Sequence, residues 1–361
     1  MKVLIVNTVK FRENGVTAVI MNYYKNMDKS NIQIDFVVIN DIAQKFRNEI
    51  EHNGSKIFHI SRNRNPISYM IKLKKVIKDG NYDIVHIHGN SAMMLLDMLP
   101  SIISGTKVRI AHSHNTTCDH LIAHKLLNPF FQKSYTHALA CSDEAGKWLF
   151  TDKPFTVLKN SIDSLSFSYN ETIRNEYRKK INAEDKKVIG HVGNFLPQKN
   201  HTFLLESFVE TLKKDNNCLL LLLGTGLLFD EMKQKAKELG IQDSVIFQGV
   251  TFDVNNYMQA MDLFVFPSLF EGLGIVMLEA QASGLPCLAS TAVPVDAKML
   301  SSTEFLAIDD TKLWGNKMAT TNIISNRKNN SETAIKELTE NGYDIKNNAE
   351  NLVKFYYNTL K

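Results

Sequence analysis

The chain has 361 residues, 44% of them hydrophobic and 22% charged, with a net charge of +4, which excludes a single small module and fits about two soluble globular domains. Its 17 glycines and 8 prolines leave no room for a collagen-like or disordered chain, and no apolar run approaches the roughly 18–20 residues of a spanning helix. The first ten residues, MKVLIVNTVK, read as a strand rather than a secretory signal peptide, so a cytoplasmic protein is expected. Short apolar runs then alternate with segments of helical period. Strands are predicted at 2–8, 32–39, 56–60, 83–88, 107–112, 137–141 and 155–158, with helices near 15–27, 42–53, 66–79, 91–102, 121–133 and 143–150. After a polar stretch at 163–186 the alternation restarts, with strands at 187–193, 218–223, 244–248, 262–266, 286–289 and 304–307. A last helix near 345–360 carries Leu352, Phe355, Tyr356 and Leu360 on one face.

This pattern predicts an α/β protein of two Rossmann-like, doubly wound domains facing an interdomain cleft, with boundaries at 1–165 and 166–343 and a terminal helix at 344–361. Residues 1–165 carry 21 Lys and Arg against 14 Asp and Glu, and residues 166–361 carry 21 against 24, so the first half is the basic one. No run of basic residues interleaved with aromatics appears, and no nucleic-acid partner is expected. Cys118, Cys141, Cys218 and Cys287 stand singly, as reduced thiols would.

The segment FPSLFEGLGIVMLEAQASGLPCLAS, residues 266–290, is the most informative. Phe266 ends an apolar strand, 267–274 is a loop of small residues, and 275–283 reads as a helix. The first amides of such a helix lack intrahelical partners and carry the positive end of its dipole, so an anion is favoured there. Glu271 lies in the loop and Glu279 in the helix. In GHVGNFLPQKNH, residues 190–201, Gly193 would let backbone approach a pyrophosphate and Lys199 would add a point charge. Gly224 and Gly226 follow a buried strand. The third glycine and the ribose-binding acid of a dinucleotide fingerprint are missing, which disfavours an NAD-dependent oxidoreductase. His86 and His88 in VHIHGN, and His112 and His114 in IAHSHNT, sit at the ends of neighbouring predicted strands. By ligand type they suit a metal, but no carboxylate pair completes a site, and none is expected.

The run E-G-L-G-I-V-M-L-E, residues 271–279, resembles the E-x-x-x-x-x-x-x-E motif of retaining GT-B-fold glycosyltransferases, specifically glycosyltransferase family 4 of the bacterial cell-surface or capsular polysaccharide type. The resemblance covers essentially the whole chain. It implies that Glu271 contacts the donor hexose and Glu279 the nucleotide ribose, while Gly272, Leu273, Gly274 and Ile275 hold sugar and diphosphate. Where the family commonly has G-R-x-x-x-x-K, this chain has Gly193, Asn194 and Lys199, leaving one visible cation for the diphosphate. The resemblance also places Gly224 and Phe247 in the nucleotide pocket, keeps Gly15 of a Gly-Gly pair as Asn14–Gly15, and puts a histidine near the transferred sugar. His114, followed by Asn115-Thr116, is favoured for that role, with His112 the alternative and His86 and His88 read as cleft-lining. VLKNSIDSLSF, residues 157–167, resembles the interdomain segment, with Ser161 in a glycine's place, and the last helix resembles one that crosses back to the first domain.

The implied reaction is metal-independent retaining transfer of a hexose from a nucleotide-diphosphate sugar, a UDP-sugar being the form first expected, to a glycan or lipid-linked acceptor, with no cofactor. His114, Glu271 and Lys199 carry the catalytic roles. Two alternatives are a sugar-nucleotide epimerase, which would need acid/base carboxylates in the cleft, and a non-catalytic GT-B-like partner of another glycosyltransferase. ISYMIKLKKVIKD, residues 67–79, reads as a helix combining Ile67, Met70, Ile71, Val76 and Ile77 with Lys72, Lys74, Lys75 and Lys78, and follows Arg62 and Arg64. It predicts reversible contact with the anionic inner face of the cell membrane.

Overall fold

The computed structural model describes residues 1–12, 15–62, 65–322 and 326–361. Asn14 and Arg64, named above, lie outside the described residues. The chain divides into two units, Met1–Ser161 with Gly342–Lys361, and Ile162–Asn341.

In unit 1 the elements alternate as β1 (Lys2–Asn7), α1 (Gly15–Asn26), β2 (Gln33–Val38), α2 (Gln44–His52), β3 (Ile57–His59), α3 (Pro66–Gly80), β4 (Ile84–Gly89), α4 (Leu95–Ile103), β5 (Val108–Ser113), α5 (Leu121–Phe131), β6 (His137–Ala140), α6 (Asp143–Phe150) and β7 (Thr156–Val157). All strands pair in parallel, in the order β3-β2-β1-β4-β5-β6-β7. In unit 2, α7 (Glu171–Lys180) precedes β8 (Lys187–Val192), α8 (His201–Lys214), β9 (Cys218–Leu223), α9 (Phe229–Glu238), β10 (Val245–Gly249), α10 (Val254–Ala260), β11 (Leu263–Phe266), α11 (Ile275–Ala282), β12 (Cys287–Ser290) and β13 (Thr303–Leu306). Then come α12 (Thr311–Thr320) and α13 (Arg327–Glu340), while α14 (Ile345–Thr359) belongs to unit 1. The second sheet is also wholly parallel, β10-β9-β8-β11-β12-β13.

Near-continuous apolar strands such as Cys218–Leu223, buried at every residue, require helices on both faces. Strand order reverses between β1 and β4 in one sheet and between β8 and β11 in the other. Ligands of open α/β sheets bind outside the carboxyl ends of strands at such reversals. Those ends are Asn7 and Gly89 in unit 1, and Val192 and Phe266 in unit 2.

Three helices depart from the sequence reading. The polar stretch at 163–186 contains α7, and α12 and α13 follow the last strand. Polar contacts seat two of them: Arg174 and Arg178 of α7 both pair with buried Asp262, and Arg327 of α13 donates to the carbonyls of Met258 at 2.7 Å and Ser283 at 2.8 Å, whereas α12 buries Trp314 and Met318. All four cysteines are free thiols. No helix among the described residues is long and apolar enough to cross a membrane.

Candidate functional site

In unit 2 the candidate residues gather at the carboxyl ends of β8, β9 and β11. The Gly193 amide donates to Leu223 O at 2.9 Å and the Gly224 amide to Gly249 O at 2.9 Å, so the turns after β8, β9 and β10 form one tied layer. Gly224 has φ +131°, and a Cβ there would lie 2.1 Å from Gly193 O. The glycine therefore permits a backbone approach that no other residue could make. Asn194 is exposed on this layer. Phe247 is half-buried in an aromatic cluster with Phe195 and Phe229, at ring separations of 6.0 and 5.9 Å.

The loop after β8 is joined to the loop after β11. Leu269 N donates to Gln198 O at 2.8 Å, and Gln198 Nε2 donates to Phe270 O at 2.8 Å. This brings Lys199 Nζ to 2.5 Å from Glu271 Oε1 and over the face of Phe266, 4.7 Å from its centroid. Both side chains are mostly buried, at 17% and 9% exposure, so the pair is a partly desolvated charge contact rather than a surface bridge.

Beyond Gly272 and Leu273, Gly274 caps α11 in the left-handed region at φ +79°, without a side-chain hydrogen bond to the helix. The leading amides of Gly274 and Ile275 thus meet no capping side chain, the arrangement that favours an anion. Five residues into α11, the Glu279 carboxyl is pushed up to about 8 by desolvation. Beneath the β8 loop, His191 Nδ1 donates to Val265 O at 2.9 Å, and burial lowers this imidazole to about 4.

In unit 1 the four histidines of β4 and β5 form one layer. His88 and His112 are paired in register, and residues two apart along a strand face the same side, so all four rings project together. His86 Nε2 is 3.2 Å from His112 Nδ1, His88 Nδ1 is 2.8 Å from His114 Nε2, and Tyr356 of α14 meets His86 Nδ1 at 2.7 Å. His86 and His88, expected to line the cleft, are buried at 0% and 4% exposure. His112 is also buried, whereas His114, just past the strand, is half-buried and donates its amide to Asn90 Oδ1 at 3.2 Å. Desolvation pushes His86 and His114 down to about 3 and lowers His88 and His112 as well, leaving neutral imidazoles at pH 7. His86, His88 and His112 place one ring nitrogen each within 4.8 Å of one another. Gly15, the first residue of α1, has open space around its Cβ position.

The sequence reading missed the ion pair itself, the depth of the imidazole layer, and Tyr356 as its partner. The histidine alternation on neighbouring strands was the one available signal.

Residues 173–312 match the family model described as glycosyl transferases group 1, and residues 13–164 match glycosyltransferase family 4. The chain is 30% identical over 360 residues to EpsF of Bacillus subtilis, named as a glycosyltransferase, covering 95% of this chain and 93% of that protein. It is 26% identical to an Escherichia coli UDP-Gal:alpha-D-GlcNAc-diphosphoundecaprenol alpha-1,3-galactosyltransferase, over 61% of each chain. In structure it is similar to HepE of Anabaena, solved with UDP and glucose, at TM-score 0.80 and 17% identity, covering 99% of this chain and 100% of that one. The chain belongs to the GT-B-fold glycosyltransferases of the family 4 type.

Proposed function

We propose that this glycosyltransferase moves a hexose from a nucleotide-diphosphate sugar, with UDP as the nucleotide, to a glycan or lipid-linked acceptor in cell-surface polysaccharide synthesis. The Lys199–Glu271 pair, whose glutamate lies three residues before the uncapped start of α11 at Gly274, carries this reading. The site offers a cation and helix-end amides to a diphosphate and, one residue before Gly272, a carboxylate to sugar hydroxyls. The UDP complexes of HepE and the UDP-galactose named for the E. coli relative support the nucleotide.

In the proposed reaction the bond from sugar C1 to the diphosphate oxygen breaks, and the diphosphate leaves with its electron pair. The acceptor oxygen bonds to C1 on the same face, and its proton passes to the departing phosphate, so configuration is retained without a protein nucleophile. Lys199, the α11 amides and the helix dipole offset the charge that builds on the leaving group. Glu271 holds the sugar, Glu279 the ribose, and His114 the sugar or its incoming partner; Asn194, Gly15, Gly224 and Phe247 line the donor. The enzyme works without a metal or cofactor, on the cytoplasmic side, touching the anionic membrane surface reversibly.

The test is transfer from a panel of radiolabelled nucleotide sugars to lipid extracts, with the anomeric configuration of the product read by NMR and excess EDTA in parallel. Product with retained configuration, formed equally in EDTA and absent with Glu271→Ala, is expected. Inverted product, or activity lost to EDTA and restored by magnesium or manganese, would overturn the corresponding part.

A further inference from the structure

The structure leaves several large apolar side chains exposed on one layer of unit 1. Connections β3→β4, β4→β5 and β5→β6 all step in the same direction across the sheet, so right-handed crossovers place α3, α4 and α5 on one face. Helix α5 is apolar on both sides. Leu127 and Phe131 pack inward, while Ile122, Leu126 and Phe130, four residues apart along the opposite side, are 79%, 69% and 67% exposed. Helix α3 repeats the pattern, with Tyr69, Leu73 and Ile77 buried and Ile67 and Ile71 exposed, and Ile103 is exposed at the end of α4. An amphipathic helix covering its own sheet would carry polar residues at these outer positions.

The unpaired exposed charge of residues 66–133 is mostly basic. Lys72, Lys74, Lys78, Lys107, Lys125 and Lys133 are exposed, and none has an ion-pair partner among the described residues. Of the acids between residues 66 and 133, Asp97 is buried, Asp79 pairs with Lys75, and Asp83 accepts the Lys2 amide at 2.7 Å; Asp119 alone is exposed without such a contact. A second copy docked face to face would bring lysines against lysines. An anionic bilayer meets both features, accepting large side chains between its headgroups and lysines on its phosphates.

We propose that the outer face of α3, α4 and α5 docks on anionic phospholipid, with Ile122, Leu126 and Phe130 of α5 entering the headgroup region. Helix α3, the basic helix singled out from sequence, supplies charge and only Ile67 and Ile71 to the insertion. The inference deepens the membrane contact in the proposed function and rests on that part of it alone.

The experiment is co-sedimentation of the full chain with phosphatidylcholine vesicles, with and without phosphatidylglycerol, at low and high salt. Wild type is expected to pellet with the anionic vesicles, and less so at high salt. L126E/F130E should lose at least tenfold in lipid affinity, whereas L227E, which alters an exposed leucine of unit 2, should pellet like wild type. Unchanged melting of each variant shows that it folds. Wild type that stays in solution, or L126E/F130E that pellets fully, overturns the proposal. So does a dimer in analytical ultracentrifugation that L126E/F130E abolishes. UDP binding measured on the same samples keeps the donor-site reading separate: a variant that binds UDP but not vesicles, or the reverse, tests one without the other.

Discussion

Lys199 Nζ and Glu271 Oε1 meet at 2.5 Å although 72 residues separate them. The two groups proposed to hold adjoining parts of the donor, its diphosphate and its sugar, are each other's partner before it arrives. Diphosphate and Glu271 therefore compete for one ammonium. Glu271→Gln should tighten UDP binding several-fold, by freeing the cation, while abolishing transfer. Calorimetry with UDP checks the first half, and weaker UDP binding by this variant would mean that Lys199 does not face the diphosphate.

Lys199→Ala removes the cation and leaves a buried carboxylate unpaired. UDP affinity should fall by about 2–3 kcal/mol, the scale of a charge-assisted contact, and stability by about 3–5 kcal/mol, the scale of a broken buried pair. K199A/E271A should recover most of the stability but none of the affinity. Equal melting temperatures for the single and double variants would show that the pair contributes nothing to the fold.

Asn194 stands where the resembling family commonly places arginine, on the layer that also holds Gly193 and Gly224. Because the side chain is exposed, Asn194→Arg should leave the fold unchanged and tighten donor binding. Unchanged or weaker binding in calorimetry would mean that another group already fills that role.

Burial pushes the Glu279 carboxyl up to about 8, far above the usual carboxylate range. A ribose hydroxyl donating to this group favours its ionised form, so nucleotide binding should release a proton below pH 8 and strengthen from pH 6 to 8. The sign for folding is opposite: a carboxyl raised above its unfolded value of about 4.3 costs stability as pH rises through that window. Glu279→Gln should flatten the pH dependence of binding and raise the melting temperature above pH 7. Proton release unchanged in Glu279→Gln would assign it to another group.

The imidazole layer behaves in the reverse way. Its rings have folded values below the unfolded value of about 6.5, so their contribution is present above pH 6.5 and lost as pH falls below it. Unit 1 should be the acid-labile part of the molecule. His112→Phe should reduce the protons taken up on unfolding near pH 5 by about one, a difference that melting temperature against pH resolves.

The parallel sheets were legible because their strands are buried on both faces and read as apolar runs. Helices α7 and α13 were not, because Arg178, Arg327 and Ser331, residues that hydrophobic periodicity ignores, are among those they bury, and α12 buries Trp314, Gly315 and Met318 within a short polar run. The glutamates and Lys199 stood out as motif positions, but their contact depends on β8 lying beside β11, an order that spacing along the chain does not reveal. The same holds for the histidines: alternation along β4 and β5 put them on one face, and only the return of α14, with Tyr356 on His86, makes that face an interior.

That return also makes the first unit discontinuous in sequence. Helix α14 lies against α1, and Leu352 and Tyr356 cover Ile5, Ile20 and the imidazoles from above. Unit 2 is one continuous stretch and has all its residues as soon as Asn341 is made, whereas unit 1 must wait for residues 342–361. The first unit thus depends on a segment that follows the whole of the second, and without residues 342–361 the buried His86, His88 and His112 lose their cover. A chain truncated after residue 341 would hold every residue of the second unit and lack part of the first.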